Sequence, residues 1–85
     1  MTLDYDDYMD SFKTRFQKEL SKKLIVKYDR KLKPSEFATY YNLQFTRSIT
    51  SETARKWLLG LSMPRISVIK DLKSWLNLDL SDLFN

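Results

Sequence analysis

The stretch from Thr50 to Gly60 carries the start, the buried face and the end of a short helix within eleven positions. Thr50 is a good N-cap, because its hydroxyl can accept a bond from a free backbone N–H of the first turn. Ile49 before it and Ala54 after it stand at the positions of a hydrophobic staple. Gly60 can adopt the left-handed conformation that stops a helix, and Pro64 follows soon after. Between these marks, Ala54, Trp57 and Leu58 fall on one face, while Ser51, Glu52, Arg55 and Lys56 fall elsewhere. The spacing therefore predicts a helix over 50–59 with a small-plus-aromatic inner face and a hydroxyl-plus-basic outer face. Such an outer face suits a DNA major groove; a plain surface helix with two solvated cations would read the same way.

Composition narrows what can surround that helix. One glycine and two prolines in 85 residues argue against a turn-rich β protein and for helices. That length makes one domain, with a modest core that needs no staples. The chain has no cysteine, which excludes disulfides, thiolate metal sites and a cysteine nucleophile. It has no histidine, which removes the commonest general base and transition-metal ligand. No Gly-rich phosphate loop is present. The neighbouring acids Asp6 and Asp7, or Asp79 and Asp82, are accounted for by capping and helix dipoles. We therefore expect no enzyme and no cofactor. No apolar run reaches transmembrane length, and the acidic start is not a signal peptide, so a cytoplasmic location is expected.

The net charge of +4 is unevenly spread. Residues 1–10 hold four aspartates and no cation, whereas residues 11–33 hold nine Lys/Arg against Glu19 and Asp29. Residues 34–70 remain basic, and 71–85 turn acidic again. A basic band between acidic ends is the footprint of a nucleic-acid binder; an anionic membrane surface or a solvated lysine-rich helix gives the same pattern.

Taken in order, residues 1–7 read as a loose acidic end. From about Asp7, the repeat Phe12, Phe16, Leu20 makes a core-facing helix with Lys13, Arg15, Lys18, Lys22 and Lys23 mostly off the stripe. The run Leu24–Tyr28 is ambiguous between a helix extension and an extended piece. Asp29–Lys33 is a charged connector. Pro34 suits the first position of a second helix carrying Phe37, Ala38 and Tyr41 and running to about Asn42–Phe45. After Gly60, Leu61–Met63 is a loop and Pro64 starts a fourth helix. Its stripe is Ile66, Ile69, Leu72 and Leu76, widened by Val68 and Trp75. Asn77–Leu78 ends it, and Asp79 can cap a last short helix that anchors Leu80, Leu83 and Phe84. The expected fold is one all-α, five-helix domain over 1–85.

Ala54 to Gly60 followed by Pro64 resembles the end of the recognition helix in the Cro/repressor (Xre-type) family of phage and bacterial regulators. The pattern continues through Ile66, Ile69, Leu72, Leu76, Leu78, Leu80, Leu83 and Phe84, which is similar to that family's last two helices. Upstream, Glu36-Phe37-Ala38 is similar to its second helix and Phe12, Phe16, Leu20 to its first. The likeness covers roughly 10–84 and is specific from 48 to 84. It departs in three places. Sixteen positions separate Ala38 from Ala54, where the usual motif has ten. The extra residues, around Tyr41–Arg47, must lengthen the second helix or the turn after it, as in a phage-repressor-like subfamily with a long turn. Pro34 stands where many relatives carry a glutamine, which moves the expected phosphate contacts to Lys33 and Ser35. No sensing or self-cleaving domain is expected after residue 85.

The resemblance implies a lambda-repressor-like helix-turn-helix fold and a small phage, prophage or plasmid Cro-type repressor in a bacterial host, nucleoid-associated, binding a double-stranded DNA operator as a homodimer. Thr50, Ser51, Glu52, Arg55 and Lys56 would then face the groove. Arg55 is the expected base reader, since a guanidinium can donate two parallel bonds to guanine. Glu52 could accept from cytosine N4 or simply favour the helix N-terminus. Lys56 would touch phosphate, Thr50 and Ser51 would combine capping with a phosphate bond, and Thr46 and Arg47 could reach backbone or a groove edge. The exposed parts of Leu78, Leu80 and Phe84 and the region of the fourth and fifth helices are candidates for the dimer surface; the same residues also serve to complete the core. A different reading is a protein-interaction module on the same scaffold, an antitoxin or a phage-encoded inhibitor of a host protein, whose acidic segment Asp4–Asp10 docks a basic partner.

Overall fold

The computed structural model describes residues 5–81, with side chains from residue 11 onward. Four helices follow one another: α1 (Tyr5–Tyr28), α2 (Pro34–Phe45), α3 (Ser51–Leu58) and α4 (Ile66–Leu76). Among the described residues there is no strand.

Helix α1 buries Phe16, Leu20 and Leu24 at successive four-residue steps, with Phe12 partly buried before them. The ambiguous run after Leu24 is helical as far as Tyr28. Of that run only Leu24 is buried; Ile25 (47% exposed) and Val26 (73%) point outward. Asp29 stops the helix in the left-handed region, φ 56°. Leu32 then drops into the core from the charged connector.

Pro34 opens α2 as expected. Glu36 reaches back to accept from the Lys33 N–H (2.9 Å), half of a capping box; a lysine side chain has no acceptor to complete it. Phe37, Ala38 and Tyr41 are buried at the i, i+1, i+4 positions of one face. The helix continues to Phe45, leaving residues 46–50 as the connector to α3. The contact between α2 and α3 is the most extensive between any two helices. Phe37 and Tyr41 meet Trp57 edge-on, with centroids 6.4 and 6.3 Å apart. Trp57 is thus core, as its spacing suggested.

Four expectations need correction. The loose end expected over residues 1–7 is shorter: α1 already begins at Tyr5, and residues 1–4 lie outside the described residues. Pro64 does not start the fourth helix: it is buried in the loop, and α4 begins at Ile66 after Arg65. Its buried stripe is Val68, Leu72 and Leu76, with Ile69 and Trp75 at the flanks, whereas Ile66 is 72% exposed. Starting the helix two residues later leaves Ile66 at its open first turn, where a stripe extrapolated backwards no longer meets the core. The described residues also hold four helices rather than five. Asp79 accepts from the Ser81 N–H (3.2 Å) and hydroxyl (2.7 Å), as a cap would, but the rest of the expected last helix, with Asp82, Leu83 and Phe84, lies outside the described residues. Finally, Leu78 and Leu80 are buried and complete the core instead of offering a dimer surface. The Asp79 N–H is held by Glu19 of α1 at 2.6 Å, which ties this segment down. Among the described residues no helix is long and apolar enough to cross a membrane.

Candidate functional site

Helix α3 is fixed at both ends by local chemistry. The Thr50 hydroxyl accepts from the Thr53 N–H at 3.1 Å. At the other end Gly60, φ +74°, closes a Schellman motif. Its N–H donates to the Trp57 carbonyl (3.2 Å), and the Leu61 N–H donates to the Lys56 carbonyl (2.8 Å). Ala54 and Trp57 are buried beneath it.

The approach to α3 is set by Asn42, which the sequence reading missed. Its side-chain amide brackets Ile49: Nδ2 donates to the Ile49 carbonyl (2.9 Å) and Oδ1 accepts from the Ile49 N–H (2.8 Å). One side chain of α2 thereby satisfies both backbone groups of the residue that precedes the cap. A polar residue next to a buried tyrosine is the sole local signal, and it does not reveal a partner seven positions on.

The outer face of α3 presents Ser51, Glu52 and Lys56 exposed and Arg55 about half exposed. Arg55 is not free. Its Nε and Nη2 donate to both oxygens of Glu52, at 2.9 and 2.7 Å. This pairing holds the Glu52 carboxyl below its ordinary range and the Arg55 guanidinium above its own. Glu52 therefore orients Arg55, a role the sequence reading did not assign. A guanidinium carries five N–H donors, so three remain for a ligand.

The other expected residues fall into two places. Lys33 and Ser35 are exposed at the start of α2. Pro34 between them lines the same cleft as Arg55, so this start lies beside α3. Glu36 of that turn also takes a two-pronged bond from Arg30, which with the Lys33 N–H lowers its carboxyl to about 2. Thr46 and Arg47 face a different neighbour. Thr46 caps α2 in the left-handed region, φ 53°. Arg47 pairs with Asp71 of α4, at 3.2 Å from Nη2 and 3.3 Å from Nε. The Tyr41 hydroxyl donates to the same carboxylate oxygen (2.9 Å). Burial, then this bond to Asp71, pushes the Tyr41 phenol up to about 12. Neither Asp71 nor Tyr41 was a candidate from sequence; their separation of thirty positions hides the pair.

No family model matches the chain, and no curated protein or solved structure matches it either.

Proposed function

We propose that the protein is a sequence-specific DNA-binding transcriptional regulator that reads the major groove with α3. The observation that carries the reading is the seating of α3: capped at both ends, buried through Ala54 and Trp57, and leaving Ser51, Glu52, Arg55 and Lys56 on the outside. The likeness of residues 48–84 to the Cro/repressor family and the basic band across 11–70 support it from two independent sides.

On this reading Arg55, steered by Glu52, donates to a guanine edge with its remaining N–H groups. Lys56 and the Thr50–Ser51 tip bind phosphate, and Lys33 and Ser35 hold the backbone beside them. Arg47 reaches DNA by exchanging Asp71 for a phosphate. Two copies bind half-sites about one helical turn apart. With Leu78 and Leu80 in the core, Ile66 on α4 is one of the exposed apolar residues open to that self-contact.

Fluorescence-anisotropy titration of a selected duplex with wild type and Arg55→Ala tests the assignment. Specific binding is expected to weaken about tenfold or more, with little change in melting temperature, since the Arg55–Glu52 pair is exposed. Equal affinities for the two proteins would remove Arg55 from the interface.

The four aspartates of residues 1–10, unaccompanied by any cation, favour one second reading. In it the chain is an antitoxin or inhibitor whose acidic segment docks a basic partner protein. Co-purification with a small basic protein encoded next to it, lost when Asp4, Asp6, Asp7 and Asp10 become asparagine, is the expected signature.

A further inference from the structure

Between α1, the connector at 29–33 and the end of α3 lies a cleft of about 520 Å³. Its walls are mostly apolar: Leu24, Ile25, Leu32, Pro34, Leu58 and Leu59. Ile25 and Leu59 leave roughly half of their surface open, with 47% and 58% exposed. The charged groups in the lining are both cations, Lys31 and Arg55, and no carboxylate lines it. Gln17 and Ser21, also in the wall, hydrogen bond to each other at 3.3 Å.

We propose that this cleft binds a small amphiphilic carboxylate, its apolar body against Leu24, Ile25, Leu58 and Leu59 and its carboxylate on Arg55. The volume lies within the range of small-ligand sites, about 300–1,000 Å³. The apolar walls select a hydrocarbon or aromatic body, and Lys31, together with Arg55 once it leaves Glu52, selects an anionic head. Arg55 already displays the matching geometry, because its guanidinium grips both oxygens of a carboxylate. That carboxylate, Glu52, is exposed, and an exposed pair exchanges at little cost. A ligand seated in the cleft draws the guanidinium off Glu52 and away from the outer face of α3. Arg55 belongs both to the cleft and to the outer face of α3. If α3 reads DNA, as proposed above, ligand and DNA therefore compete for one guanidinium and the ligand releases the operator.

The test is an NMR titration of the full chain with sodium octanoate, alongside octan-1-ol as the neutral body of equal length. Saturable shifts are expected at the methyl groups of Leu24, Ile25, Leu58 and Leu59, with octanoate binding about tenfold more tightly than octanol. Arg55→Gln is expected to bring octanoate down to the affinity of octanol, with an otherwise unchanged spectrum showing that the variant is folded. Lys31→Gln is a second variant, in which a smaller loss is expected. Equal binding of acid and alcohol by the wild type, shifts centred elsewhere, or no saturation at millimolar octanoate would overturn the proposal. A DNA titration with and without octanoate separates the two readings. Competition that disappears in a Leu59→Ser variant supports both. Octanoate binding with no effect on DNA leaves the cleft standing and overturns the shared role of Arg55.

Discussion

Gly60 and Thr46 adopt nearly the same backbone at opposite cost. Both lie at positive φ, +74° and 53°, at the ends of α3 and α2. A left-handed L-residue costs about 1–2 kcal/mol, and a β-branched one is the least suited to it. Gly60 meets the demand without strain. A Cβ there would lie 3.4 Å from Gln17 Cβ and from the Lys13 carbonyl, a close but tolerable approach, so torsion decides the cost more than collision. Gly60→Ala is expected to lower stability by about 1–2 kcal/mol in denaturant unfolding. Thr46 pays this cost in the native protein. Thr46→Gly is expected to raise the melting temperature by a few degrees, because relief of strain exceeds the roughly 0.5–1 kcal/mol that glycine loses in chain entropy. Thr46 stands in the connector that leads to α3. A variant that melts higher and binds DNA more weakly would mark its side chain as part of the interface; a fall in melting temperature would show that the strain is not there.

Among the helices, α3 is the one whose position depends most on others. Its caps were legible from local chemistry, since Thr50 and Gly60 act within three or four positions of themselves. Its setting was not legible. Asn42 reaches across the connector to Ile49, and Asp71 gathers Tyr41 and Arg47 from α2 and its end. These bonds join residues too distant in sequence for periodicity to expose them. The same limit explains the error at α4. The apolar positions Ile66, Val68, Ile69, Leu72, Trp75 and Leu76 support two adjacent stripes, and only the packing against the core selects Val68–Leu72–Leu76. Asn42→Ala removes two part-buried bonds and is expected to cost about 1–3 kcal/mol and to loosen α3 first. Hydrogen exchange checks this: amides of α3 should lose protection more than those of α1. Uniform loss across all helices would mean that the bracket stabilises the whole fold without setting α3.

At the scale of the molecule, charge organises both stability and the proposed binding. Glu36 is held at about 2 by the Arg30 bond and then by the Lys33 N–H, well below its ordinary 4.5. A lowered carboxyl contributes stability that is present above the ordinary value and is lost as pH falls toward the folded one. Glu52 and Asp79 are shifted in the same direction, by Arg55 and by Ser81. Thermal melts from pH 6 to 2.5 are therefore expected to show a falling melting temperature below about pH 4.5, shallower in Glu36→Gln because that variant has no proton to take up. The effect is modest, since these pairs are exposed. All-α architecture was legible in the glycine and proline content and the apolar spacing, and the basic band in the order of charges along the chain. The division of that band was not: Arg30, Arg47 and Arg55 are each paired to a carboxylate, whereas Lys56 and Lys33 stand exposed on the side of α3 and the start of α2.

The central claim, that α3 reads DNA, is tested most directly by selection from a pool of random duplexes at two salt concentrations, with Arg55→Ala carried in parallel. Enrichment of one two-fold symmetric site, an affinity that falls steeply with salt and loss of that enrichment in the variant are the expected results. Salt-dependent binding without enrichment would contradict sequence reading by α3. No binding at low salt would contradict the DNA-binding account itself and leave the acidic segment's protein partner as the reading to pursue.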